Sequence, residues 1–310
     1  MKNFFLEKVR NKGGFKCYHA HFDKAFLINE FNLGKSQASL QEKWKLYREL
    51  KENYTREDLL NRMIKCVNIM LEQEVKFCRT FVDADQLVGE LPIDTAIELR
   101  EIFKGKIDLE FAIQPLEGLD NEIAEMNFVN SCKKADIIGG LPDRDKDPSM
   151  HLDKIFKLSK DLDKPVDIHV GQNNIPRELE EQLVVQKVRQ WNMQGKVNLV
   201  HAISLACQTD VYIDNLSKQM ADLDIGVIVC PSAAISMKQR SDVVAPIHNS
   251  IAPVTKLIKN NVKVALGIDN IADIFMPLVD GDLWFESRLL MEATRCYDLD
   301  LISDIVTCNL

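Results

Sequence analysis

Short apolar runs alternate along the chain with stretches whose apolar residues recur every three to four positions. The runs at 15–18, 77–83, 106–113, 136–140, 165–170, 197–203, 226–230 and 262–268 read as strands. Ile225-Gly226-Val227-Ile228-Val229 carries no polar side chain, as expected of a parallel strand covered on both faces. The periodic stretches at 37–53, 56–74, 93–103, 121–133, 152–162, 177–193, 209–223, 251–260, 279–294 and 299–308 read as helices. Thr55 with Asp58 three residues on has the form of a capping box opening the helix at 56–74. Eight strands with helices between them predict an α/β fold, a (β/α)8 barrel with short extensions. No repeat, low-complexity stretch or Pro/Gly-rich linker divides the chain, so one domain over 1–310 is expected.

Composition narrows the partners. The formal net charge of −8 argues against holding a phosphate backbone, and so against nucleic acid. No apolar run approaches the length of a membrane span, so no membrane partner is expected. Residues 1–14 mix apolar side chains with Lys2, Glu7, Lys8 and Arg10 and contain no signal-peptide core. The eight cysteines lack a C-x-x-C or any paired spacing. Reduced, mostly buried thiols in a cytoplasmic protein are the expectation.

The chemistry concentrates at strand ends. His19 and His21 follow the first strand-like run, and side chains two apart in an extended chain point to one side. His169 closes the fifth run, His201 lies toward the end of the sixth, and Asp269 follows the eighth. In (β/α)8 barrels these ends line the active site. Imidazoles with one carboxylate suit one divalent ion, zinc or iron. His19, His21, His169 and Asp269 are the expected ligands. Such an ion with an open position lowers the pKa of a bound water toward neutrality. Asp269 would then relay the proton, and His201 would steady the hydroxide or the substrate oxygen. Taken singly, His201 also reads as a structural histidine, and Asp269 before Asn270 as turn chemistry. His151 reads as opening a surface helix, and His248 as a solvated residue of the segment 231–250. That segment, with Ser232, Ser236 and Met237, is expected to help set specificity.

These residues resemble the amidohydrolase superfamily, in particular its cytosine deaminase-like branch. His19-Ala20-His21-Phe22-Asp23-Lys24 is similar to that branch's H-x-H-x-D-K. Arg79-Thr80-Phe81-Val82-Asp83 is similar to its R-T-H-V-D, with Phe81 at the histidine. Asp136-Ile137-Ile138-Gly139-Gly140 resembles its fourth-strand block, and Gly267-Ile268-Asp269-Asn270-Ile271-Ala272-Asp273 its eighth. The resemblance implies a single-metal site on His19, His21, His169 and Asp269. It makes His201 the sixth-strand histidine, brings Lys24 into the active site, and places Asn270 against the substrate.

The chain departs from the branch where the substrate is read. Gln172 stands where relatives carry a proton-shuttling glutamate, and an amide does not titrate, so where a second acid is needed Lys24 or His201 is expected to be the catalytic replacement. Leu116 stands where they carry a glutamine that grips a pyrimidine, and a leucine offers no hydrogen bond. Relatives also carry a small β-sandwich. Here it is expected to be absent or truncated, leaving barrel surface exposed or covered by a partner subunit, as in a homo-oligomer. The resulting expectation is a metal-dependent hydrolase of non-peptide C–N bonds. Its substrate is a small heterocycle or amide, with cytosine itself disfavoured. The alternative is a non-catalytic, metal-binding relative acting as a binding or assembly subunit.

Overall fold

The structure is a computed structural model that describes residues 1–237, 242–245 and 251–310. His248 and part of the segment 231–250 lie outside the described residues. Eight parallel strands pair in sequence order: β1 (Lys16–Cys17), β2 (Phe77–Asp83), β3 (Asp108–Gln114), β4 (Ile137–Gly140), β5 (Val166–Val170), β6 (Val197–His201), β7 (Gly226–Val229) and β8 (Val264–Leu266). The ring closes between β8 and β1, where the Tyr18 N–H donates to the Leu266 carbonyl at 2.9 Å. A parallel bridge pairs Ala20 with Asp269 at the same seam. The predicted α/β barrel is thus present, and one sheet is formed among the described residues.

Two kinds of packing hold it. Outside the sheet, strand residues such as Ile113, Ile168 and Leu199 join the helices in one large apolar core. Inside, alternate residues of each strand stack in layers, as barrel geometry requires. At the closed end, Arg79 bridges Glu110 at 2.7 Å and Asp167 at 2.8 Å, and Asn198 donates to Asp167 at 2.9 Å. Tyr18, Val200, Ile228 and Ala265 pack above them, as do Phe81, Ala112 and Ile137. The strand ends beyond these layers are where the histidines sit.

Several elements differ from the sequence expectation. Helix Lys2–Asn11 was not expected, yet it buries Phe5 and Val9, with Phe5 5.5 Å from the Trp284 ring. The stretch 37–53 is a 3-10 turn, Leu33–Gln37, followed by helix Leu40–Lys51. That helix carries the reciprocal capping box, between Ser39 and Glu42. Thr55 does cap helix Arg56–Glu72, but the Asp58 carboxylate turns instead to Arg62, one turn on. His151 is not on the surface. It is buried in helix Pro148–Leu162, accepting at Nε2 from the Leu141 N–H at 3.0 Å, with Nδ1 2.6 Å from Asp145. The interval of ten residues between Leu141 and His151 concealed that tie.

Candidate metal centre

The backbone at the β8–β1 seam is shaped to aim side chains. The His19 carbonyl accepts from both Ile268 N–H (2.9 Å) and Asp269 N–H (3.1 Å), and His21 N–H donates to the Asp269 carbonyl at 2.9 Å. Gly267 allows this approach, since a Cβ there would lie 2.5 Å from the His19 Cβ and 2.9 Å from its carbonyl oxygen. Asp269 (φ 63°) and His201 (φ 76°) both adopt left-handed backbone conformations. Non-glycine residues visit that region at a cost, which concentrates at functional sites.

Four imidazoles and one carboxylate meet there, all buried. His19 lies with His21 and His169, and again with His201 and Asp269, each trio having its ligand atoms within 4.8 Å of one another. One oxygen, Asp269 Oδ1, is 3.1 Å from His19 Nε2 and 3.2 Å from His21 Nε2. Phe81 forms the apolar wall behind them, 4.7 Å from the His19 ring and 4.9 Å from the His169 ring. Gly139 makes room for it, because a Cβ there would come within 2.8 Å of the Phe81 ring.

The electrostatics suit a cation. Burial, with the Lys24 ammonium adding to it, depresses His21 to about 3. Burial holds His201 down to about 4 and His169 well below its ordinary value. Asp269 stays well below the carboxylate range: burial opposes this, but hydrogen bonds to His19 and His21 outweigh it. Near neutrality these are neutral imidazoles around an ionised carboxylate, the donor set that divalent zinc or iron takes. The buried Nδ1 atoms of His19, His169 and His201 have no hydrogen-bond partner among the described residues. The Nε2 edges of His19 and His21 converge instead on one oxygen of Asp269, with two further imidazoles beside them, a gathering that a bound cation would account for.

The centre forms the floor of a cavity of about 700 Å³. Lys24, Leu116, Gln172 and Asn270 all line it, as do Ser236 and Met237. Ser232 is buried, giving its N–H to Glu286 at 2.9 Å. Asn270 gives an amide proton to Asp273 at 2.5 Å. Lys24 is only 1% exposed. Its Nζ reaches Asp83 at 2.8 Å, Gln114 at 2.5 Å and His21 Nδ1 at 3.1 Å. Lys51, from helix Leu40–Lys51, holds the other Asp83 oxygen at 2.5 Å and Asp85 at 2.5 Å.

Sequence reasoning missed this network and several cavity walls, namely Gln114, Trp44, Phe275 and Met276. Gln114 was within reach: it is the last residue of β3, on the inward side it shares with Ala112. Trp44 carries no such signal, since a helical tryptophan reads as core.

No family model matches the chain. An uncharacterized protein of Haemophilus influenzae is 32% identical over 262 residues, 83% of this chain and 95% of that protein. The N-isopropylammelide isopropyl amidohydrolase of Pseudomonas sp. strain ADP is 23% identical over 310 residues, covering 95% of this chain and 72% of the enzyme. Among solved structures, 5-methylcytosine deaminase of Klebsiella pneumoniae with 5-fluorocytosine superposes with a TM-score of 0.85 at 20% identity, over 94% of this chain and 72% of that one.

Proposed function

The chain belongs to the family of that Haemophilus influenzae protein and resembles the cytosine deaminase-like branch of the amidohydrolase superfamily; on that premise we propose that it is a metal-dependent hydrolase of non-peptide C–N bonds in a small heterocycle or amide. The observation that carries this reading is the convergence of His19, His21, His169, His201 and Asp269 on one buried point at the barrel mouth. His19, His21, His169 and Asp269 would hold one divalent ion. Bound there, zinc or iron would supply an activated water and polarise the scissile bond. Asp269, already ionised, takes the proton of the attacking water and returns it to the leaving nitrogen. His201, neutral near pH 7, donates to the substrate oxygen that gains charge. Phe81 closes the site on the barrel-interior side.

Gln172 favours a second reading, since an amide there cannot move a proton: a metal-binding relative without turnover. Metal analysis followed by an ammonia-release screen over amino-substituted pyrimidines, triazines and small amides separates the two. About one equivalent of zinc or iron, with release lost in His19→Ala, is the expected result. Bound metal without release of ammonia or any other amine would favour the second reading. A protein that takes up no metal would overturn both.

A further inference from the structure

Leu116 removes the hydrogen bond expected at its position, but the cavity floor is not without an amide. Gln114 sits two residues earlier, at the end of β3, and lines the cavity while being only 4% exposed. Its two ends are not equivalent. The Lys24 ammonium donates to Gln114 Oε1 at 2.5 Å. Lys24 has no acceptor to offer, so the carbonyl end of the amide must face it. The same lysine is anchored by Asp83, which Lys51 holds from behind while pairing with Asp85. The Gln114 NH2 group is thereby turned the other way, with Nε2 3.5 Å from His169 Nε2, at the outer limit of a hydrogen bond. A buried donor so weakly used, beside the ring that would hold the ion, is open to a partner from the substrate.

We propose that Gln114 is the specificity-determining residue of this cavity, donating to a ring carbonyl oxygen whose carbon is one ring nitrogen away from the carbon that is hydrolysed. Lys24 is its positioning residue, since the ammonium fixes which end of the amide faces the substrate. The substrate class is then an oxo-substituted heterocycle or a lactam. A ring presenting an amino group at that place would set donor against donor and be rejected. This inference rests on the hydrolase reading above.

The test uses the zinc-loaded protein and two probes, cytosine (2-oxo, with a proton on N1) and 2,4-diaminopyrimidine (2-amino, with N1 bare), and reads the Gln114 contribution from how each variant changes their ratio. Affinity is read as a dissociation constant by calorimetry, or as KM where a compound is turned over. The wild type should favour the oxo compound by roughly ten- to a hundredfold, the range for leaving one buried donor unmatched. Gln114→Met should bring the two within about threefold of each other. Gln114→Glu keeps the volume and the pairing with Lys24 but presents an acceptor, and should reverse the preference. Zinc content and melting temperature are measured for each variant. A wild type that binds neither probe, or both equally, overturns the inference, as does an unchanged ratio in either folded variant. Failure of the wild type to bind zinc would instead sink the hydrolase reading itself.

Discussion

Asp269 combines more demands than any other residue of the site. Its left-handed backbone points the carboxylate inward, and one oxygen lies between two imidazoles at 3.1 and 3.2 Å. Ionisation is sustained although burial opposes it, because His19 and His21 hydrogen-bond the charged form. Asp269→Asn keeps the size of the side chain and removes its basicity. Turnover should fall by about a hundred- to ten-thousandfold, the usual contribution of a positioned acid–base group, and more if metal is also lost. Initial rates and metal content measured together check this, and undiminished activity would remove the proposed relay. Lys24 lies in the cavity, and its setting there could not be read from the sequence. H-x-H-x-D-K points to the active site, but only the fold shows a lysine buried against Asp83 and Gln114.

At the scale of elements, the seam between β8 and β1 decides whether His19, His21 and Asp269 meet. Each is short, three residues and two, so their regular pairing is slight. The ring is completed beyond the strands, by the hydrogen bonds of Tyr18, His21, Ile268 and Asp269. Gly267 is the contact point. Gly267→Ala would force its methyl group to within 2.9 Å of the His19 carbonyl oxygen, the acceptor of two of those bonds. A loss of about 1–3 kcal/mol is expected from such overpacking, together with weaker metal retention. Thermal melts and metal titration read both effects. Gly34→Ala is the control, since nothing lies within 4 Å of a Cβ at that site. A seam variant as stable as the control would show that the two ends do not need their close approach.

For the whole molecule, buried carboxylates make stability depend on pH. Glu286, on helix Leu283–Thr294, accepts from the Ser232 N–H through one oxygen, while the other has no partner among the described residues. Burial raises it from 4.5 to about 7. A carboxyl group raised on folding stabilises fully below its unfolded value, and that contribution is lost as pH rises through about 7. Glu286→Gln should therefore gain stability relative to the wild type between pH 5 and 9, on the order of 3 kcal/mol at the alkaline end. Chemical denaturation across that range checks it. A constant difference would mean that Glu286 does not titrate there. Asp273 and Glu181, each raised to about 7 by burial, push the wild type in the same direction.

The sequence alone determined the eight strands, their order and the residue types gathered at their ends, for a physical reason. Covered parallel strands are written as local apolar runs, and barrel geometry sends each strand end to one mouth. His19 and His21 could be paired from their spacing, and His169, His201 and Asp269 placed by the ends of their strands. Helix boundaries were less legible, because caps such as Ser39 with Glu42 are settled by hydrogen bonds of a single turn. What only the tertiary structure decided is how distant residues share one buried space. Lys24, Asp83 and Gln114 stand on three separate segments, and no periodicity links them. Their contact exists because β1, β2 and β3 pair side by side in the sheet, with Asp83 directly opposite Gln114. It is that pairing, and not the composition of any segment, that turns an amide toward the site.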